Sequence, residues 1–254
     1  MRASSEASLR SYTAPPLLDK ATRLARYVQS LDASVLEKTM KLSPQLAYKT
    51  QQLWQSWQPT QHTLPAIDAF LGDMYSGLQA HTFTGADREY AANCLYILSG
   101  LYGVVRALDS IHPYRLEMGY KLLDAPFDNL YSYWGEDIAR QLPNSEVIIN
   151  VSVPEYTKTV LPFVKNARVI TPVFLTVKEG DASPRPVVVH AKIARGAYAR
   201  WIIKNRIEDT AQLPNFNELG YHYNATLSTE NQPVYVTKNF QGLGLSVRQN
   251  KTVE

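Results

Sequence analysis

Four short segments bring together residue types that chemistry can use. The first, Leu98-Ser99-Gly100-Leu101-Tyr102-Gly103-Val104-Val105-Arg106, sets two glycines three apart between apolar stretches. That pattern suits the turn of a helix-hairpin-helix element, where the backbone N–H groups of Gly100 and Gly103 approach a phosphate and Arg106 adds charge. A tight helix–helix connection in a core gives the same spacing. The second segment is His112-Pro113-Tyr114-Arg115-Leu116-Glu117-Met118-Gly119. On extended backbone Arg115 and Glu117 project to one face, where they either pair with each other or jointly line a cleft with Tyr114.

The third segment, residues 147–156, runs from an apolar stretch into Asn150, Ser152, Pro154, Glu155 and Tyr156. Polar residues at the C-terminal end of a buried strand are the usual lining of an α/β binding cleft, although Ser152 also suits a helix N-cap. Asn150, Ser152, Tyr114 and Tyr156 are therefore cleft candidates, and Glu117 and Glu155 are candidates for acid–base work. The fourth segment holds Lys192, Arg195, Arg200, Lys204 and Arg206 with no acid between them. Helical geometry places Lys192, Arg195 and Arg206 within about 60° of one another. A solvated basic face and a phosphate or carboxylate clamp both fit.

Other chemistries find no support. Gly-x-Ser-x-Gly, Gly-x-Gly-x-x-Gly and Walker A patterns are absent, so neither an elbow nucleophile nor a nucleotide loop is indicated. The five histidines, at positions 62, 81, 112, 190 and 222, lack metal-ligand spacing, and no metal or cofactor is expected. Cys94 is the single cysteine, which excludes internal disulfides and suits a reducing cytoplasm.

The elements that must carry these residues differ between the two halves. In residues 17–30 the apolar stripe Leu17, Ala21, Leu24, Ala25 and Val28 predicts an amphipathic helix. A second helix follows Asp32 as N-cap, with Val35, Leu36 and Met40 inward, and a third starts at Ser43-Pro44. Further helices are expected over 64–70, over 84–98 with Thr84 as cap, over 129–142 and over 191–206. The β-branched runs at 147–151, 169–175 and 186–190 read as buried strands, and 220–223 with 234–236 as a closing hairpin. The expected class is α+β, with a helical first half and short buried strands in the second. We expect a poorly ordered lead-in over 1–16, one domain over 17–238 and a flexible tail over 239–254.

Across 254 residues, 26 Lys+Arg against 23 Asp+Glu give a net charge of +3. Residues 1–150 carry 13 basic and 15 acidic side chains, and residues 151–254 carry 13 and 8, so the excess of +5 lies in the second half. That asymmetry permits nucleic acid as a partner without requiring it. Charged residues or Gly interrupt every hydrophobic stretch short of a membrane span, and the first residues show no secretory signal.

Taken in order, several stretches resemble the YaaA family, small bacterial cytosolic proteins associated with peroxide stress. They are Phe70-Leu71-Gly72-Asp73-Met74-Tyr75-Ser76-Gly77-Leu78, the Gly100/Gly103 segment, Pro113 to Gly119, Leu130-Tyr131-Ser132-Tyr133-Trp134-Gly135, Pro172-Val173-Phe174-Leu175, Ala191-Lys192-Ile193-Ala194-Arg195-Gly196 and Phe216-Asn217-Glu218-Leu219-Gly220-Tyr221. The resemblance implies a compact mixed fold with a positively charged cleft. It also implies sequence-independent binding of duplex DNA, and a role in limiting peroxide damage linked to free iron. Three departures stand out. The family's opening strand and Ser-Pro-Ala-Lys motif have no counterpart, Ile193 stands where a second Lys is common, and Ala107 replaces the Pro after Arg106.

Two functional readings follow. In one, a cytoplasmic stress protein holds DNA phosphates through the Gly100/Gly103 backbone and the cations Arg106, Lys192, Arg195, Arg200 and Arg206. In the other, an enzyme takes a small anionic or nucleotide-like ligand. There Arg115, Lys192 and Arg195 hold the anion, and Glu117 or Glu155 moves the proton.

Overall fold

The computed structural model describes residues 13–59, 64–123, 125–178, 180 and 183–246. Along the chain run α1 (Leu18–Gln29), α2 (Ala33–Met40), α3 (Pro44–Gln55), β1 (Leu64–Pro65), α4 (Ala66–Ala69), α5 (Asp73–Leu78) and α6 (Gly85–Cys94). Then come β2 (Tyr96–Ser99), β3 (Gly103–Arg106), β4 (Ser110–Ile111), α7 (Leu130–Trp134), α8 (Asp137–Arg140), β5 (Val147–Ile149) and α9 (Pro154–Thr157). β6 (Arg168–Ile170), β7 (Val173–Thr176), α10 (Val188–Asn205), β8 (His222–Tyr223) and β9 (Val234–Thr237) complete the α+β set. The chain divides into two compact units.

The first unit comprises the residues up to Phe70, Ala92–Pro143 and Val153–Lys165. Its α1 buries Ala21, Leu24, Ala25 and Val28, the stripe read from the sequence. α3 opens with Pro44 at its first position, and the Ser43 hydroxyl accepts from Leu46 N–H at 3.4 Å. Asp32 occupies the N-cap position of α2 without a side-chain cap bond. Of the expected lead-in, residues 1–12 lie outside the described residues. Thr13 is tied down, since its hydroxyl donates to Asp109 Oδ1 at 2.6 Å and its carbonyl accepts from Ser110 N–H at 2.9 Å.

Two expected helices are shorter than their apolar patterns. Leu64 and Pro65 pair with Ile111 and Ser110, so only residues 66–69 of the expected 64–70 helix are helical. α6 stops at Cys94 because Tyr96, Ile97 and Leu98 enter a hairpin. The helix-hairpin-helix expectation is thereby corrected. The Gly100/Gly103 segment is an antiparallel β-hairpin, with Ser99 opposite Gly103 and Tyr96 opposite Arg106. Two glycines three apart also fit a tight hairpin, with loop residues 100–102 and a left-handed residue where the return strand begins. Gly103, at φ 69°, is that residue, and Ser99 Oγ accepts from Tyr102 N–H inside the loop at 2.8 Å.

The second unit comprises Leu71–Ala91, Asn144–Ser152 and Asn166–Glu254. β5 and β6 pair in parallel, and β7, β9 and β8 form a sheet with β9 central, parallel to β7 and antiparallel to β8. The expected strand over 169–175 is split between these sheets at Thr171-Pro172, where Pro has no N–H to give a ladder. Residues 188–190 of the expected strand over 186–190 form the first turn of α10 instead. A short Val-rich run carries no period of its own, and here it continues into the helical stripe that follows. β8 and β9 are the expected closing hairpin. Phe174, Tyr198, Phe216, Tyr221 and Tyr235 pack together as an aromatic core under α10.

Within the expected tail, Phe240, Gly242 and Ser246 are buried. Phe240 stacks on His190 at 4.0 Å between centroids, and Ser246 is buried with its hydroxyl donating to Asp73 Oδ1 at 3.2 Å. Residues 247–254 lie outside the described residues.

Candidate functional site

In the first unit, residues 114–119 alternate strictly. Tyr114, Leu116 and Met118 are buried while Arg115, Glu117 and Gly119 are exposed. Extended backbone therefore presents Arg115 and Glu117 on one face, as their spacing implies. Three contacts hold this segment. Gly100 lies so close to the Leu116 carbonyl that an added Cβ would sit 2.3 Å from its oxygen. The Tyr114 and Ser99 hydroxyls are 2.7 Å apart. Gly119 N–H donates to Glu155 Oε1 at 2.8 Å from the first turn of α9.

The same turn places Tyr156, whose hydroxyl donates to Glu117 Oε2 at 2.5 Å. Burial pushes the Tyr156 phenol well above its usual range, and neighbouring Tyr114, Glu117 and Glu155 push it further. It stays a protonated donor. Tyr120 is raised too, mainly by burial, with the Arg115 guanidinium opposing and Glu117 and Glu155 adding to the rise. Tyr131 on α7 is raised by burial and by Glu155. Arg115, Glu117, Glu155 and the hydroxyls of Tyr120 and Tyr156 thus form one cluster. Glu155 spends an oxygen on backbone, whereas Glu117 is the exposed carboxylate. Tyr120 and Tyr131 were not singled out from sequence, although each sits in or beside a family-like stretch.

Other polar groups of this unit are held in place by their own partners. Tyr102 accepts from Trp57 Nε1 and from His112 N–H, each at 3.0 Å, and burial pushes its phenol up to about 12. Trp134 Nε1 donates to the Gly100 carbonyl at 3.1 Å. Arg106 turns back on Asp109, with its N–H on Oδ2 at 2.8 Å and its guanidinium on Oδ1 at 3.1 Å.

In the second unit, α5 and α10 cross at Gly77 and Gly196. An added Cβ would lie 2.0 Å from the Ile193 carbonyl oxygen at the first and 1.8 Å from the Met74 carbonyl oxygen at the second. This crossing sets how α10 presents its cations. Arg200 pairs with Glu218 at 2.5 Å, and Arg206 pairs with Asp87 at 2.9 Å while covering the Tyr90 ring. Arg206 is also the left-handed cap after α10, not a member of its helical face. Lys192 and Arg195, one turn apart, meet no carboxylate among the described residues. The Arg195 Nε–H is buried without an acceptor among the described residues, and burial lowers the guanidinium from its usual value. Asn150 Nδ2 donates to Thr171 Oγ1 at 3.2 Å, and its Oδ1 accepts from the Ser152 hydroxyl at 2.9 Å, so this pair shapes the loop after β5.

The profile of the peroxide stress protein YaaA family matches residues 1–227. The chain belongs to that family. It is also 48% identical over 240 residues to a UPF0246 protein of Salinispora tropica, covering 94% of this chain and 91% of that one. Two YaaA-like stretches, around Gly77 and around Gly196, are the two sides of the α5–α10 crossing. Ile193, where the YaaA resemblance implies a cation, is fully buried in the core of this unit. The position serves packing here, and the exposed charges of α10 are set by its neighbours. Ala107 is buried as well, and its carbonyl accepts from Ile67 N–H at 2.9 Å. No metal-binding group of three or more His, Cys, Asp or Glu side chains occurs among the described residues, and no described helix is long and apolar enough to cross a membrane.

Proposed function

We propose that this cytoplasmic protein serves the peroxide-stress response by binding a small phosphate-bearing, nucleotide-like ligand, clamped by Lys192 and Arg195 of α10. Family membership supports the stress role. The observation that supports the clamp is the buried Arg195 Nε–H, which has no acceptor among the described residues. A buried donor without a partner costs about 1–3 kcal/mol, more when charged, and a phosphate oxygen would remove that cost. Calorimetric titration with adenosine monophosphate and pyrophosphate tests this reading. Affinity should fall about tenfold or more in Lys192→Ala and in Arg195→Met, and equal affinity in wild type and both variants would sink it.

A second reading keeps duplex DNA as the ligand, with restraint of iron-linked damage as its consequence. The +5 balance of residues 151–254 favours it. Arg106, Arg200 and Arg206 are engaged with carboxylates, which leaves fewer cations for phosphates than the sequence alone suggests. With Lys192 and Arg195 as the contacts, log affinity should fall against log salt with a slope of about −2. Anisotropy on unrelated duplexes over a salt series separates the readings, since a flat response excludes DNA.

A further inference from the structure

Arg115 and Glu117 share a face but form no ion pair with each other. Successive same-face positions on extended backbone lie roughly 6.5–7 Å apart, well within reach of two long side chains. Each charge is instead engaged separately. Glu117 takes the Tyr156 proton donor at 2.5 Å, and the Arg115 guanidinium lies beside the Tyr120 hydroxyl. The backbone between them is pinned on both flanks, at Gly100 by the Leu116 carbonyl and at Gly119 by Glu155. The result is a fixed surface with separated positive and negative ends and neutral phenols around them.

We propose that this cluster is a receptor for a small zwitterion, a molecule carrying an ammonium and a carboxylate or phosphate a few bonds apart. Arg115 takes the anionic group in bidentate fashion, and Glu117 takes the ammonium. A simple anion is disfavoured because Glu117 and Glu155 both act on the same Tyr120 hydroxyl as Arg115. A simple cation is disfavoured by Arg115. Tyr156 acts through Glu117 as a positioning residue, holding one carboxylate oxygen so that the other faces outward. The proposal uses different residues from the α10 clamp and stands independently of it.

The test is NMR titration of the full chain, following the Gly119 amide. The probes are the common α-amino acids and phosphoethanolamine, with acetate, inorganic phosphate and ethylamine as single-charge controls. At least one zwitterion should bind about tenfold or more tightly than every control. Arg115→Ala and Glu117→Gln should each erase that advantage, and Tyr156→Phe should reduce it severalfold. Arg115 and Glu117 are exposed, so both variants should keep the wild-type unfolding midpoint. Phosphate binding as tightly as phosphoethanolamine would overturn the proposal, as would no response to any zwitterion at millimolar concentration. Unchanged zwitterion affinity in both folded variants would overturn it too.

Discussion

Gly77 of α5 faces the Ile193 carbonyl and Gly196 of α10 faces the Met74 carbonyl, so the two helices approach more closely than a Cβ at either position would allow. Because the obstructing atoms are main-chain carbonyls, no rotamer change can make room. Gly196→Ala should therefore destabilise by about 3 kcal/mol or more, at or beyond the upper end of ordinary overpacking. Urea unfolding would measure it. A loss below about 1 kcal/mol would mean the helices separate easily.

Gly100 offers a test of positioning. Its substitution by Ala must displace the Leu116 carbonyl and with it the 113–119 segment. Stability should fall by about 1–3 kcal/mol. The Gly119 amide resonance, which reports its bond to Glu155, should also shift. A destabilised variant with an unmoved Gly119 signal would uncouple the hairpin from the cluster.

Arg195 and Arg200 lie on the same helix yet should respond oppositely. Arg200→Ala strands Glu218 and should cost about 1–3 kcal/mol. Arg195→Met removes a buried donor that has no acceptor among the described residues, so the ligand-free protein should be unchanged or slightly stabilised. Thermal unfolding of both variants checks the contrast, and a clear loss in Arg195→Met would assign that side chain a structural role.

Asp87 should contribute to acid sensitivity. Thr84 N–H and hydroxyl, followed by Arg206, hold its carboxyl below the usual carboxylate value. A lowered folded pKa means the contribution is fully present above the unfolded value of about 3.9 and is lost as pH falls through the folded one. Asp87→Asn should flatten the stability profile below about pH 5. An unaltered acid limb would show that the bond persists when protonated.

Much of this molecule is legible in its sequence where one physical signal acts alone. The α1 stripe, Pro44 at the start of α3, the β8–β9 pair and the shared face of Arg115 and Glu117 all follow from periodicity or local stereochemistry. The errors fall where two structures satisfy one local pattern. Gly100 and Gly103 suit a helical turn or a strand turn, and distant partners, the Leu116 carbonyl and Trp134, go with the strand turn. Residues 188–190 suit a strand or a helix start. The pairing of Arg200 and Arg206 with Glu218 and Asp87 was invisible because those acids lie far away along the chain. Tyr120 and Tyr131 were missed for the same reason: only the fold brings them to Glu155.

The contacts of Phe240 and Ser246 bear on how the protein is handled and shortened. A chain cut after Asn239 would strip the ring from His190 and remove the hydroxyl that Asp73 accepts at the start of α5. Asp73 would then lose a hydrogen-bonding neighbour at the root of the helix that crosses α10. Ser246 thus braces the start of α5, the helix that crosses α10. Proteolytic trimming there should loosen α5 and its crossing with α10 together, without touching any residue of the proposed clamp.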